Sequence, residues 1–272
     1  MSGELLVRPL EVGEGSGAHQ GMGAGRSQRW TLNRPGRRNA LSPAMVEALH
    51  EALHRAEEDG VDVVVLDGNG PSFCAGADLH YLRSHDRARA ETPRHFLERI
   101  WDLTIAMEAS PVVLIAALHG HAVAGGLELA LACDIVIAAE HTLIGDGHVA
   151  NNLLPGGGSS ARLERALGRG ASSWLALTGT FLPADDLAFA PWLHRVVRID
   201  ELETASQQAA RTVMSSARHA RVGFKALLNQ QRPAPTAADR DAELDAFARH
   251  WIDHDVAASL QLFLDKRSGK AS

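Results

Sequence analysis

Gly120-His-Ala-Val-Ala-Gly-Gly-Leu-Glu-Leu129 holds more information about the fold than any other stretch of this chain. It follows Val112–Leu118, an apolar β-branched run that reads as a buried strand, and it leads into Leu127–Cys133, which reads as a short helix. Gly120 to Gly126 reads as the turn between them, and Ile135–Ala138 as the next strand. Strand, turn, helix and strand with connections this short predict an α/β fold with repeated crossovers. The N–H groups of Ala124, Gly125 and Gly126 fall at a helix start, where backbone donors lack partners. Glu128 lies in the first turn, where an acid complements the helix dipole. Its neighbours Leu127, Leu129, Ala130 and Leu131 are apolar, so it opens a buried helix, and a buried glutamate needs a partner or a task.

Upstream, the same grammar repeats. Trp30–Leu32 reads as a short strand, followed by a turn at Asn33, Pro35 and Gly36. Ser42-Pro43 is a helix start, with serine as N-cap and proline at the first helical position. Met45, Val46, Leu49, Ala52, Leu53 and Ala56 follow at helical spacing until Gly60, and Val61–Leu66 is a buried strand. A helix over 92–109 carries Phe96, Ile100, Leu103 and Met107 on one face. Downstream, 144–158 reads as a long loop. From Ser159 the chain turns mostly helical, with a brief strand at Arg195–Val197 and helix patterns over 201–217, 220–229 and 238–265. A boundary between an α/β core and a helical unit is expected near residue 200.

Composition narrows the function classes. The chain has 272 residues, 45% hydrophobic and 22% charged, an ordinary globular mix. Lys and Arg total 27 against 33 Asp and Glu, so the net charge of -6 lacks the broad positive field of a general nucleic-acid binder. No apolar stretch reaches the roughly 18–20 residues of a membrane helix. The first ten residues carry Glu4 and Arg8 and no apolar run, so no secretory signal is expected there. Cys74 and Cys133 have no CxxC spacing, which points to buried thiols in a reduced, cytoplasmic chain. The glycines at 13, 15, 17, 21, 23 and 25 follow no strand, precede no helix and close with no Lys-Ser/Thr, so they read as a hairpin tip or loop rather than a phosphate or dinucleotide site.

Two further stretches can carry chemistry. Ser72-Phe-Cys-Ala-Gly-Ala-Asp-Leu79 follows a strand and turn, and its small residues let backbone approach a ligand. It also reads as nothing more than a small-residue turn. Ile144-Gly-Asp-Gly-His-Val-Ala-Asn-Asn-Leu-Leu-Pro-Gly-Gly-Gly158 places Asp146 and His148 between glycine clusters, where they shape a pocket or sit exposed on a loop. His119, His121, His141 and His148 lack the spacing of HExxH, so no metal site is expected.

Together, and in this order, these stretches resemble the enoyl-CoA hydratase/isomerase (crotonase) superfamily. Asn33-Arg-Pro-Gly-Arg-Arg-Asn-Ala-Leu41 resembles its early motif, and Phe73-Cys-Ala-Gly-Ala-Asp-Leu79 its first oxyanion segment. Gly125-Gly-Leu-Glu-Leu-Ala-Leu-Ala-Cys-Asp134 resembles the second. Leu154-Pro-Gly-Gly-Gly158 with Arg162-Leu163, Gly168 and Leu177-Thr-Gly179 resembles the stretch beyond the active site. The likeness covers about residues 28–230. It implies an α/β fold, a crotonase-like spiral of repeated ββα units with a helical C-terminal region that mediates trimers, often paired into hexamers. On that reading residues 1–27 are a Gly-rich N-terminal segment, 28–200 the core and 201–272 the region for oligomerisation.

The resemblance also implies an acyl-CoA thioester as ligand, with no cofactor beyond its CoA moiety and neither nucleic acid nor membrane as partner. The thioester carbonyl would lie between the N–H groups of Ala77 and Gly125. Ala75, Ala77, Asp78 and Leu79 are similar to the family's adenine-contacting loop. Arg37 and Arg38 fall where the family contacts CoA, and Phe263 and Lys266 resemble late positions that reach it from a helical tail.

One departure stands out. Family hydratases place two glutamates around a water molecule. The first matches Glu128, but Ile144-Gly-Asp-Gly-His148 lines up with an aromatic-Gly-x-Pro-Glu run, so His148 stands where the second would be and Gly147 where the proline would be. Histidine, with a pKa near 6.5, exchanges protons around neutrality. Neither standard family assignment carries over whole: the resemblance implies a hydratase-like lyase with Glu128 as one acid/base group, and His148, with Asp146 orienting its ring, is the candidate for the other. Its rivals are a crotonase-type hydrolase or retro-Claisen C–C hydrolase using His148, and an acyl-CoA-binding relative without chemistry.

Overall fold

A computed structural model describes residues 3–11, 26–85, 92–232 and 235–267, with no account of the side chains of 263 and 265–267. The glycine-rich 13–25 segment and the side chains of Phe263 and Lys266 lie outside the described residues.

Among the described residues a sheet of six strands has the order β1 (Leu5–Pro9), β2 (Ser27–Leu32), β3 (Val63–Gly68), β4 (Val113–Leu118), β6 (Ile135–Ala139) and β9 (Arg195–Val197). Only the β1–β2 pair is antiparallel. Both faces of the sheet are covered, which is why its central strands read as unbroken apolar runs. Val64, Leu66, Leu114, Ala116 and Leu118 face the main core, built with α1 (Pro43–Glu58) and α3 (Arg94–Ala109). Val63, Val65, Ile115, Ala117 and Ile137 face the other way, onto Leu202, Ala205 and Ala210 of α6 (Leu202–Met214). The alternation follows directly from the two-residue strand period.

Helix α1 begins as its sequence predicts. Ser42 accepts a hydrogen bond from the Met45 N–H at 3.1 Å, and Pro43 occupies the first turn. The Asn33–Leu41 motif is a scaffold. Asn39 accepts from the Arg34 N–H at 2.8 Å and donates to the carbonyls of Asn69 and Ser72. Arg34 in turn pairs with Asp78 at 2.9 Å and Glu4 at 3.0 Å.

The central stretch differs from its expected form. Gly120–Gly126 is not a plain turn, because β5 (His121–Val123) lies within it. Nor is 144–158 a plain loop, because β7 (Leu143–Gly145) runs into it and a 3-10 turn spans Val149–Asn151. Strands β5, β7 and β8 (Leu182–Pro183) form a second, small sheet. Helix α4 (Gly125–Leu131) starts two residues earlier than its apolar run suggests. Between β3 and α3 lies α2 (Leu79–Arg83).

The C-terminal part runs through α5 (Ser159–Thr178), which kinks at Gly168, then α6, α7 (Arg218–Gln231), α8 (Ala237–Asp253) and α9 (Val256–Arg267). The helix expected over 238–265 is thus two helices, parted at His254, whose backbone is extended. None of the described helices is long and apolar enough to cross a membrane.

Candidate active site

The two small-residue bends meet. Cys74 bridges to Ala122 of β5, with the Cys74 N–H donating to the His121 carbonyl at 3.0 Å and the Val123 N–H to the Cys74 carbonyl at 3.1 Å. Leu41 bridges to Ala77 by accepting from the Asp78 N–H and donating to the Gly76 carbonyl. This pattern leaves the Ala77 N–H out of the ladder. Gly125 is the first residue of α4, so its N–H has no acceptor within the helix. The two amides lie close: a Cβ built on Gly125 would stand 3.3 Å from the Ala77 nitrogen. Ala124, just before the helix, is held at φ 49, a costly region for a residue with a side chain. That backbone turns the chain abruptly from β5 into α4.

Glu128, one turn into α4, is 2% exposed. Its Oε1 accepts from the N–H groups of Gly157 and Ser159, both at 3.0 Å, while Oε2 accepts from none of the described residues. Burial pushes its pKa up to about 7. Glu243 and Asp146 add to the rise, and His148 opposes it.

His148 lies in the same pocket. Its Nδ1 contacts Asp146 Oδ1 at 2.9 Å, and the other Asp146 oxygen accepts from the Ser159 hydroxyl at 2.6 Å. Burial pulls the imidazole down, but the Asp146 carboxylate, with Glu128 and Glu243 beyond it, outweighs burial and lifts the pKa to about 9. Burial likewise works against ionisation of Asp146, yet the His148 charge and hydrogen bonds hold it below the ordinary range. Burial thus favours the neutral acid at Glu128, while the surrounding carboxylates favour the cation at His148. Gly147 makes this turn at φ +68, which a proline cannot adopt, and the Phe181 ring packs over it. Gly147 and His148 thus belong to one local structure.

A cavity of about 140 Å³ joins these groups. Its polar end holds Ala77, Gly125, Glu128 and His148, and its walls include Leu82, Leu97, Ile100, Leu154, Phe181 and Phe247. Arg38, Ala75 and Leu79 also line it, whereas Arg37 and Asp78 do not. Asp78 is occupied elsewhere: it caps α2 through the N–H groups of His80 and Tyr81 and pairs with Arg34. Both cysteines are buried, and burial pushes the Cys74 thiol up to about 12.

Sequence reasoning missed three contributors. His121 lines the cavity, with Nδ1 3.1 Å from the Ser72 hydroxyl and Nε2 3.5 Å from Arg38 Nη1. Its place beside Gly120 in the central stretch was the available signal. Glu243 and Phe247 come from α8, and nothing in that polar helix marks them out.

Comparison with known proteins agrees with this architecture. The family described as enoyl-CoA hydratase/isomerase matches residues 28–270. A probable mitochondrial enoyl-CoA hydratase of Dictyostelium discoideum is 30% identical over 245 residues, covering 90% of this chain and 87% of that one. A 2,3-dehydroadipyl-CoA hydratase of Escherichia coli (strain K12) is 32% identical over 243 residues, with 88% and 92% covered. The crystal structure of an enoyl-CoA hydratase from Mycobacterium avium subsp. paratuberculosis K-10 superimposes with a TM-score of 0.80 at 25% identity, over 95% of this chain and 98% of that one.

Proposed function

Because the chain belongs to the enoyl-CoA hydratase/isomerase family, we propose that it adds water across the double bond of an enoyl-CoA thioester, with Glu128 and His148 as the proton-transferring pair. The observation that carries this reading is the convergence of a carboxylate, an imidazolium and two amide-bearing bends on one cavity.

The thioester oxygen would sit between the N–H groups of Ala77 and Gly125. Negative charge grows on that oxygen as the enolate forms, so fixed donors there favour the transition state over the ground state. Glu128 Oε2 takes a proton from water while the water oxygen bonds to the β-carbon. The π electrons move onto the thioester oxygen, and the enolate then collects a proton at the α-carbon from His148. Glu128 ends protonated and His148 neutral, and transfer of that proton between them restores the pair. The cavity's apolar walls suit a hydrocarbon acyl chain.

The test is product analysis with the single variants Glu128→Gln and His148→Ala. Each is expected to lower formation of the 3-hydroxyacyl-CoA by at least about 100-fold. Unchanged hydration by both would overturn the assignment.

The Asp146–His148 couple also favours a second reading. A carboxylate on Nδ1 is how an imidazole is oriented as a base for water, as hydrolysis of a thioester or retro-Claisen cleavage needs. The carboxylates that raise the His148 pKa favour its cation over a free base, which argues against it. Release of free CoA or of a shortened acid would identify that chemistry, and binding of CoA esters without turnover would mark a non-catalytic relative.

We read the assembly as a homotrimer or a dimer of such trimers. Phe224, Leu227 and Leu228 on α7 are 64%, 56% and 39% exposed, an apolar strip that suits burial against another copy. Light scattering in solution tests this, and a monomer would refute it.

A further inference from the structure

We propose that Glu243 of the C-terminal helix α8 is a positioning residue for the Glu128–His148 pair. It acts by sharing with Glu128 the unpaired amides at the start of α5. The inference rests on the hydratase reading above and adds a residue and a helix to it.

The geometry is an interleaved clasp. The N–H groups of Gly157 and Ser159 donate to Glu128 Oε1. Those of Gly158 and Ser160, at 2.8 and 3.0 Å, donate to the two oxygens of Glu243. The Ser160 hydroxyl also donates to Glu243. Gly157 leads into α5, Gly158 caps it and Ser159 and Ser160 open it, and two carboxylates take these four consecutive amides alternately. The positive end of the α5 dipole favours both as anions, against the burial that raises the pKa of each. Glu243 therefore fixes the very turn that holds Glu128, and Phe247, one helical turn further along α8, closes the cavity wall.

Glu243 is 6% exposed, so its charge is felt. Glu128 on α4 and His148 after β7 interact with it across the α5 terminus, Asp146 is held on His148, and Arg162 of α5 reaches the Gly157 carbonyl at 3.3 Å. On the α3 side the charged partners of α8 are paired off at the rim: Arg94 with Asp245, and Asp102 with Arg240. Behind it on α8, His250 contacts the Asn152 carbonyl. The negative charge of Glu243 makes Glu128 harder to ionise and the His148 cation easier to keep. Removing it moves both in the same direction, toward lower pH.

The experiment compares kcat and KM against pH for crotonyl-CoA hydration by the full chain and its Glu243→Gln, Glu243→Asp and Asp245→Asn variants. Glu243→Gln should shift both limbs of the profile downward by roughly half a unit or more. Its kcat should fall by about tenfold while KM stays within about twofold. Glu243→Asp should restore the limbs, and Asp245→Asn, which alters only the exposed pair with Arg94, should leave the profile untouched. Thermal unfolding and the affinity for a non-reactive acyl-CoA confirm that each variant is folded. If Glu243→Gln is folded and binds but keeps the parental limbs, the proposal is wrong. If the parent chain itself fails to hydrate, or Glu128→Gln and His148→Ala are both without effect, the hydratase reading has failed instead.

Discussion

Glu128 carries a chemical asymmetry within a single carboxylate. Oε1 is saturated by two amides, whereas Oε2 faces the cavity with no protein partner among the described residues. In the proposed hydration one oxygen anchors and the other takes the proton. With Glu128 near 7 and His148 near 9, activity should rise as pH passes about 7 and fall as it passes about 9. Because the two groups interact, the limbs belong to the pair. A kcat/KM profile checks this; a flat profile between pH 6 and 10 would refute it. Ser159 offers a finer probe, since its N–H serves Glu128 and its hydroxyl serves Asp146. Ser159→Ala keeps the first contact and deletes the second. Asp146 then loses a donor that steadies it against the His148 ring, so turnover should fall about 3–10-fold with KM unchanged, a split that steady-state kinetics reads. At this scale the sequence was informative wherever a residue stood out from its surroundings. Glu128 among leucines and His148 among glycines were visible. Glu243 was not, because Asp241, Glu243 and Asp245 look alike until the fold turns one of them inward.

Secondary-structure elements were legible in proportion to their length and burial. Strands β3, β4 and β6 are sealed on both faces, so each leaves an apolar run that nothing else explains. Strands β5 and β7 are three residues each, too short for any periodicity, and exist because they pair with each other. The start of α4 was misplaced for a related reason. Gly125 and Gly126 have low helix propensity, and only the strained Ala124 backbone and the crowded approach of the Cys74 bend set the helix going there. Helix α1 follows the opposite rule, with local signals sufficient. Ser42→Ala should therefore destabilise the chain by about 1 kcal/mol, measured as a lowered urea midpoint with an unchanged m-value and unaltered catalysis.

Across the whole molecule the reactive centre is an electrostatic debt inside a well-packed body. Asp146, Glu128 and Glu243 cluster within it against one imidazolium and the start of α5. Its signature is a dependence of stability on pH. His148 has a folded pKa raised from 6.5 to about 9, so its contribution is complete below 6.5 and is lost as pH climbs through 9. Glu128, raised from 4.5 to about 7, prefers its neutral form when folded, so stability also drains between those values. Both trends point the same way. Chemical denaturation should show the chain more stable at pH 6 than at pH 9 by about 1–3 kcal/mol from this cluster, with much of the slope gone in His148→Gln. An opposite slope that persisted in the variant would contradict the charge assignment.

Helix α8 lies at residues 237–253, whereas the last strand of the main sheet ends at Val197. A ribosome therefore finishes every strand of that sheet before it has made the glutamate and the phenylalanine that complete the cavity. That helix also brings Leu244, Phe247 and Trp251 to the main core, so one late segment closes the candidate site and seals the body around it.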